Sequence, residues 1–324
     1  MTKRINTDAS KQRKPSSTAR LKVEELGVYI NLLTDFGFKR IFGIKEVMIH
    51  FLNTVLDIEG GITEISYSNP ERLGLTADDR KAIYDLYCTT GNGEHIIVEM
   101  QAIHQQYFKD RVLLYATRLF HEQSVKGKNW DCNLHPVYSI NILDFRLDVN
   151  LETEKYTSHV QLMDRDTKTV FYDKLTFVYI ELPRFTKELS QLKSFFEQWI
   201  FLIRHLHELN EIPETLRNEI FDTVFQQAKI ARMTKQQITK YIKDLNNMNI
   251  VKNELAYRDN IIAEQGNAIA YRDSIIAEQG NKLAMTNNEL AMTSNELAMT
   301  NTKLEAALAE LNALRQAHAL NGKP

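Results

Sequence analysis

Between residues 85 and 101 the chain reads Asp85-Leu-Tyr-Cys-Thr-Thr-Gly-Asn-Gly-Glu-His-Ile-Ile-Val-Glu99-Met-Gln101, two β-prone runs around Gly91-Asn92-Gly93. Asn-Gly between such runs is the strongest short-range hairpin signal, because both residues tolerate the positive φ angles that a tight turn demands. The expected strands cover about 81–88 and 95–101, turning over 89–95. Strand side chains alternate, so Glu99 and Gln101 share a face, and the turn brings Asp85 alongside them. Two carboxylates and an amide at one place can hold a hard divalent cation and a water.

The rest of the composition narrows the setting. With 324 residues, 43% hydrophobic and 25% charged, the chain has room for one or two domains with a core. A formal net charge of -2 gives no general affinity for nucleic acid, so such binding requires a local basic patch. Cys88 and Cys132 lack metal-ligand spacing; Cys88 falls in a strand-like run as a small buried hydrophobe, and the pair fits a reducing compartment. No apolar run approaches the roughly 20 residues of a membrane span, and the amino end lacks a signal-peptide core, so a cytoplasmic location away from membranes is expected. There is no Gly-rich phosphate loop, HExxH or serine elbow.

Residues 1–20 carry Lys3, Arg4, Lys11, Arg13, Lys14 and Arg20 against Asp8 alone, the composition of a disordered basic leader, or of an arm touching nucleic acid. A globular region over 21–186 follows. Thr34-Asp35 caps a helix with Phe38, Ile41 and Phe42 on its apolar side, and a second helix covers 47–56. A strand at 62–67, the hairpin, a helix at 105–122 and interior strands at 137–143 and 175–180 complete an α/β or α+β arrangement around a mixed sheet. On the helix at 105–122, Tyr107, Arg111 and Tyr115 recur every four residues on one face. The region 187–249 is helical, with segments at 189–209, 213–228 and 234–245.

From residue 250 to 324 a seven-residue repeat takes over: IVKNELA, two copies of a YRD-x-IIAEQGN unit, then MTNNELA, MTSNELA and MTNTKLE. Its apolar position is Leu255, Ile262, Ile269, Ile276, Leu283, Leu290, Leu297, Leu304 and Leu311, a period that favours a coiled coil and hence a homo-oligomer. Four residues on stand Asp259, Gly266, Asp273, Gly280, Asn287, Ser294 and Asn301, which weaken such association; a single helix or spacer is the alternative.

By residue type alone, paired-acid chemistry of the glycosidase kind also fits Asp85 and Glu99, although it gives no reason for Gln101 one residue beyond Glu99. His104 has no partner spacing and is expected on the surface or in a loop. The strings Tyr29-Ile-Asn-Leu-Leu-Thr-Asp35-Phe-Gly-Phe-Lys39-Arg-Ile-Phe-Gly43, Phe51-Leu52-Asn53, Arg80 through Asp85, Val98-Glu99-Met-Gln101 and Tyr107-Phe-Lys-Asp-Arg111-Val-Leu-Leu-Tyr115 together resemble the PD-(D/E)xK nuclease family transposases, relatives of the Rpn-type recombination-promoting nucleases. Ile180-Glu181-Leu182-Pro183-Arg184-Phe185 extends the likeness, which spans about 27–250.

The resemblance implies a restriction-endonuclease-like core, a mixed central sheet flanked by helices, with DNA as substrate and Mg²⁺ as cofactor, Mn²⁺ substituting. Asp85 stands at the family's central aspartate and Glu99 at the acidic member of the (D/E)xK pair. Gln101 stands where the lysine usually is, a departure this subgroup shares, and Asp35 matches an amino-terminal element able to supply an outer ligand. Asp85, Glu99 and the Met100 backbone carbonyl would then hold the metal, Gln101 would orient a water, Lys39 or Arg111 would bring positive charge, and Tyr107 and Tyr115 would support substrate. The expected function is metal-dependent DNA endonuclease, tied to recombination, mobile elements or phage defence. The alternative is a catalytically weak DNA-binding or assembly protein oligomerised by its repeats.

Overall fold

Asn31 and Thr34 start the first helix. The Thr34 hydroxyl accepts from the Gly37 amide at 3.0 Å, an N-cap contributing about 1 kcal/mol, and opens α1 (Asp35–Phe42). Phe38, Ile41 and Phe42, then Val47, Met48, Phe51 and Leu52 of α2 (Lys45–Val55), fall at helical spacing and are all essentially buried. The computed structural model describes residues 26–68, 71–72, 82–123, 133–147 and 155–320; the expected basic leader, Arg80 and Cys132 lie outside them.

After α2 come β1 (Ile65–Tyr67), a ribbon of β2 (Glu71–Arg72) with β3 (Ala82–Ile83), and the hairpin β4 (Leu86–Thr90) and β5 (His95–Gln101). Helix α3 (Phe108–Glu122) leads to β6 (Val137–Leu143), β7 (Thr157–Met163) and β8 (Val170–Glu181). The sheet order is β1-β4-β5-β6-β8-β7, with β5, β6 and β8 parallel and the other pairings antiparallel. This is the mixed central sheet flanked by helices that the sequence predicts.

Its middle strands are apolar on both faces. Ile96, Val98, Ile140, Ile142, Val178 and Ile180 pack toward α1, α2, α4 (Phe195–His205) and α5 (Glu219–Ala228). Ile97, Leu143, Phe177 and Tyr179 pack toward Phe108, Val112, Ala116 and Leu119 of α3. Burial on both sides explains the near-continuous apolar runs.

Several boundaries differ from the sequence expectation. The strand expected over 81–88 is two pieces, broken at Tyr84-Asp85, because Asp85 spends its amide on a side chain rather than on the sheet ladder. The hairpin loop takes four residues, 91–94; Gly93 adopts φ +93°, and a Cβ there would meet the His135 ring at 2.7 Å. The helix expected from 105 starts at Phe108, since Tyr107 takes φ 60°. The segment 189–209 resolves into a 3₁₀ turn at Leu189–Gln191 and the Ser194-capped α4, while 213–228 becomes a 3₁₀ turn and the Asn218-capped α5. Strand β7 has no counterpart among the expected elements, and β8 starts at Val170 rather than 175.

Helix α6 spans Lys235–Leu320, and the chain divides into two units, Met1–Lys252 and Asn253–Pro324. Within the first unit the start of α6 anchors α1. The Asn31 amide donates to the Tyr241 hydroxyl at 2.9 Å and the Phe36 amide to Asp244 Oδ2 at 3.1 Å. Lys252 pairs with Asp144 at 2.5 Å, just beyond β6. Within the second unit the repeated Ile and Leu side chains from Ile262 to Leu304 are exposed, between 57% and 68%. Among the described residues no helix is long and apolar enough to cross a membrane.

Candidate active site

The break before β4 and the end of β5 bring Asp85 beside Glu99. The Asp85 amide donates to Glu99 Oε1 at 3.2 Å, and the Met100 amide donates to Asp85 Oδ2 at 2.8 Å. Glu99 and Gln101 follow Ile97 on the α3 face, as period-two alternation requires. Gln101 Nε2 donates to Glu99 Oε2 at 3.1 Å, while Gln101 Oε1 accepts from Arg111 Nη2 at 2.7 Å. A guanidinium only donates and an ionised carboxylate only accepts, so these partners fix which way the amide points. Arg111, Gln101, Glu99 and the Asp85 amide thus form one chain of hydrogen bonds. Arg111 also donates to Gln105, and its guanidinium carbon lies 5.9 Å from the Tyr115 ring centre.

On α1, Lys39 pairs with Asp35 at 2.5 Å, and both remain partly exposed. Burial works against the Lys39 charge, but the Asp35 hydrogen bond and the fields of Asp35, Asp85 and Glu99 outweigh it and raise its pKa. The carboxylates shift upward as well. Burial, chiefly, raises Asp85, against the Met100 amide and the Lys39 charge. Burial and then the nearby Asp85 charge push Glu99 up to about 8. Glu99 is 5% exposed, so its charge has little water to stabilise it.

The sequence-expected residues divide by location. Asp85, Glu99, Gln101 and Arg111 are linked directly, with Met100 contributing its amide to the pair and Lys39 acting on it through its charge. Asp35 touches Lys39 rather than the two carboxylates. Tyr115 supports from α3, its ring edge-on to Tyr84 at 5.3 Å. Tyr107 is 70% exposed and lines a cleft of about 240 Å³ with His104, Gln105 and Lys109. His104 is exposed, against the Phe145 ring. A larger cavity of about 720 Å³, lined by Tyr138, His159, Gln161 and Lys174 among others, holds none of these residues. Asn141, the register partner of Glu99 on β6, is not among the expected residues. The available signal is Ser139 and Asn141, two polar residues two apart in the otherwise apolar run Val137–Leu143.

Among the described residues no three His, Cys, Asp or Glu side chains form a metal cage. The donor set nevertheless suits a hard divalent cation of the Mg²⁺ kind. Three carboxylates, Asp35, Asp85 and Glu99, face two cations, Lys39 and Arg111, and both cations are already engaged. Burial raises both Asp85 and Glu99, so the pair resists ionising on its own, and an oxygen-seeking dication would stabilise its doubly ionised form. A family model described as PD-(D/E)XK nuclease family transposase matches residues 32–257. No curated protein and no solved structure matches the chain.

Proposed function

For a chain that belongs to the PD-(D/E)XK nuclease family transposases, we propose the function of a divalent-metal-dependent DNA endonuclease, Rpn-like in character and built on a restriction-endonuclease-like core. The observation that carries this reading is the Asp85–Glu99 pair, tied backbone to side chain in both directions and joined to Arg111 through Gln101. Asp85, Glu99 and the Met100 carbonyl would hold Mg²⁺ or Mn²⁺. Bound there, the ion supplies Lewis-acid charge for a phosphodiester and acidifies a water. The protein's own part is positional and electrostatic. Gln101 holds the Glu99 carboxylate in place and, having a second amide hydrogen, can orient a water without deprotonating it. Lys39 keeps a full positive charge beside the carboxylates, the sign that attracts a phosphate backbone. Exposed Tyr107, with Lys109 beside it, offers a ring for stacking on a base.

The repeats join copies of the chain, since their apolar stripe finds no cover within its own unit. A cytoplasmic setting accords with a DNA substrate. One observation favours a second reading, a catalytically weak DNA-binding or assembly protein. In the place of the usual (D/E)xK lysine stands a neutral amide, a departure the resembled subgroup shares, and here both its ends are already bonded. Supercoiled and single-stranded DNA incubated with Mg²⁺, with Mn²⁺ and with EDTA, beside the Asp85→Asn protein, separates the two. The nuclease reading expects metal-dependent nicking that Asp85→Asn abolishes; DNA binding with no metal-dependent cleavage leaves the second.

A further inference from the structure

Two buried side-chain atoms that lack a hydrogen-bond partner among the described residues, Arg111 Nε and Asn141 Oδ1, belong to residues around Glu99. Asn141 is fully buried. Parallel pairing sets it opposite Glu99 on β5 and Tyr179 on β8, and paired residues of neighbouring strands share a face. Glu99, Asn141 and Tyr179 therefore form one row across the sheet beneath α3. The Asn141 amide nitrogen donates to the Ser139 carbonyl at 3.0 Å, the Ser139 hydroxyl at 3.1 Å and the Val178 carbonyl at 3.5 Å. Carbonyls only accept, so the amide cannot be reversed: the nitrogen is drawn toward Ser139 and β8, and the oxygen is the other arm. A rigidly held, bare carbonyl oxygen in a dry interior is costly unless something supplies a donor.

We propose that this donor is a water on the divalent cation held by Asp85 and Glu99, which makes Asn141 a positioning residue of the metal site. The inference rests on the nuclease reading. Neither Asp85 nor Glu99 can serve as the donor once ionised, whereas a metal-bound water is a strong one, and groups that orient such waters tune metal affinity. Oδ1 then acts on the water and the pair of carboxylates acts on the ion. Because the Asn141 nitrogen is tethered at three points, the oxygen is preorganised and the water is fixed with it.

The test is Mn²⁺ binding, followed by calorimetry and by water-proton relaxation of the bound ion, in the full chain and in Asn141→Leu, Asn141→Ser, Asn141→Asp and Asp85→Asn. Expected are tight binding by the parent and loss of binding in Asp85→Asn. Asn141→Leu and Asn141→Ser should bind about tenfold or more weakly with altered relaxation, and Asn141→Asp more tightly. Asn141→Ser serves if the Leu variant does not fold. Parent and Asp85→Asn both failing to bind Mn²⁺ would overturn the nuclease reading and the proposal with it. Binding lost in Asp85→Asn but unchanged, in affinity and relaxation, in all folded Asn141 variants would overturn the proposal alone.

Discussion

Asp85 and Glu99 clasp each other across the β4–β5 junction: the Asp85 amide donates to Glu99 Oε1 at 3.2 Å, and the amide following Glu99 donates to Asp85 Oδ2 at 2.8 Å. The clasp fixes two carboxylates in a poorly hydrated place, and its consequence is electrostatic. In the metal-free protein, burial first and the Asp85 charge second raise Glu99 from the ordinary 4.5 to about 8. Between those values the native state keeps a proton that the unfolded chain has released. This contribution to stability is full below the ordinary carboxylate range and is lost as pH rises through about 8.

On the proposed reading a divalent cation would bind the ionised pair, so stabilisation by Mn²⁺ should grow over the same interval. Thermal melts between about pH 5.5 and 8.5, in EDTA and in Mn²⁺, should diverge as pH rises. At a hundredfold excess over Kd the difference would be about 2.7 kcal/mol, a shift of several degrees. Superimposable melts in EDTA and Mn²⁺ at the alkaline end would show that the clasp is not a metal site.

Gln101 spans Arg111 and Glu99, so the two residues should act as one unit. Gln101→Ala and Arg111→Ala are each expected to lower DNA cleavage by about 10- to 100-fold, the worth of a hydrogen bond to a charged group. The double variant should be little worse than the more damaged single one, because either change already breaks the same chain. Cleavage losses that simply multiply would mean that Arg111 acts on substrate independently of Gln101.

The hairpin, the carboxylate face and the mixed sheet are legible in the sequence because period-two patterning and Asn-Gly chemistry are local. Strand β7 is not: Val160, Leu162 and Met163 are about half exposed at the sheet edge, so no alternation of buried and solvated positions marks it. The break at Asp85 and the bond from Arg111 to Gln101 depend on residues 14 and 10 positions apart meeting in space. No window of propensity reports such contacts. Asn141 lies between these extremes, visible as a polar residue in an apolar strand but interpretable only through its register with Glu99.

Identical substitutions at two glycines should have opposite signs. A Cβ at Gly37 would lie 2.1 Å from the Asn31 carbonyl oxygen and 2.8 Å from Thr34 Oγ1, so Gly37→Ala must displace the start of α1. A cost of about 1–3 kcal/mol is expected, with loss of cleavage because Lys39 rides on that helix. At Gly280 nothing lies within 4 Å, and Ala should strengthen the exposed helix by about 1 kcal/mol. Chemical denaturation for the first and helicity by circular dichroism for the second check both, and a neutral Gly37→Ala would mean that α1 tolerates the shift.

The repeat stripe yields the last prediction. Its Ile and Leu side chains, from Ile262 at 65% exposed to Leu311 at 45%, leave the second unit with an apolar line open to water. Fully burying such a side chain stabilises by about 1.5–3 kcal/mol, and a second copy with the same spacing offers a matching line. Polar residues four positions on, such as Asp259, Gly266 and Asn287, halve that seam, so association should be modest and dependent on concentration. The informative truncation ends at Lys252, because that residue pairs with Asp144 and an earlier cut would remove a contact of the first unit. Sedimentation of the full chain should shift from a monomer toward a larger species as concentration rises, while the chain ending at Lys252 stays monomeric. If both sediment identically at every concentration, the repeats are a spacer, and any pairing of nuclease sites must come from the first unit.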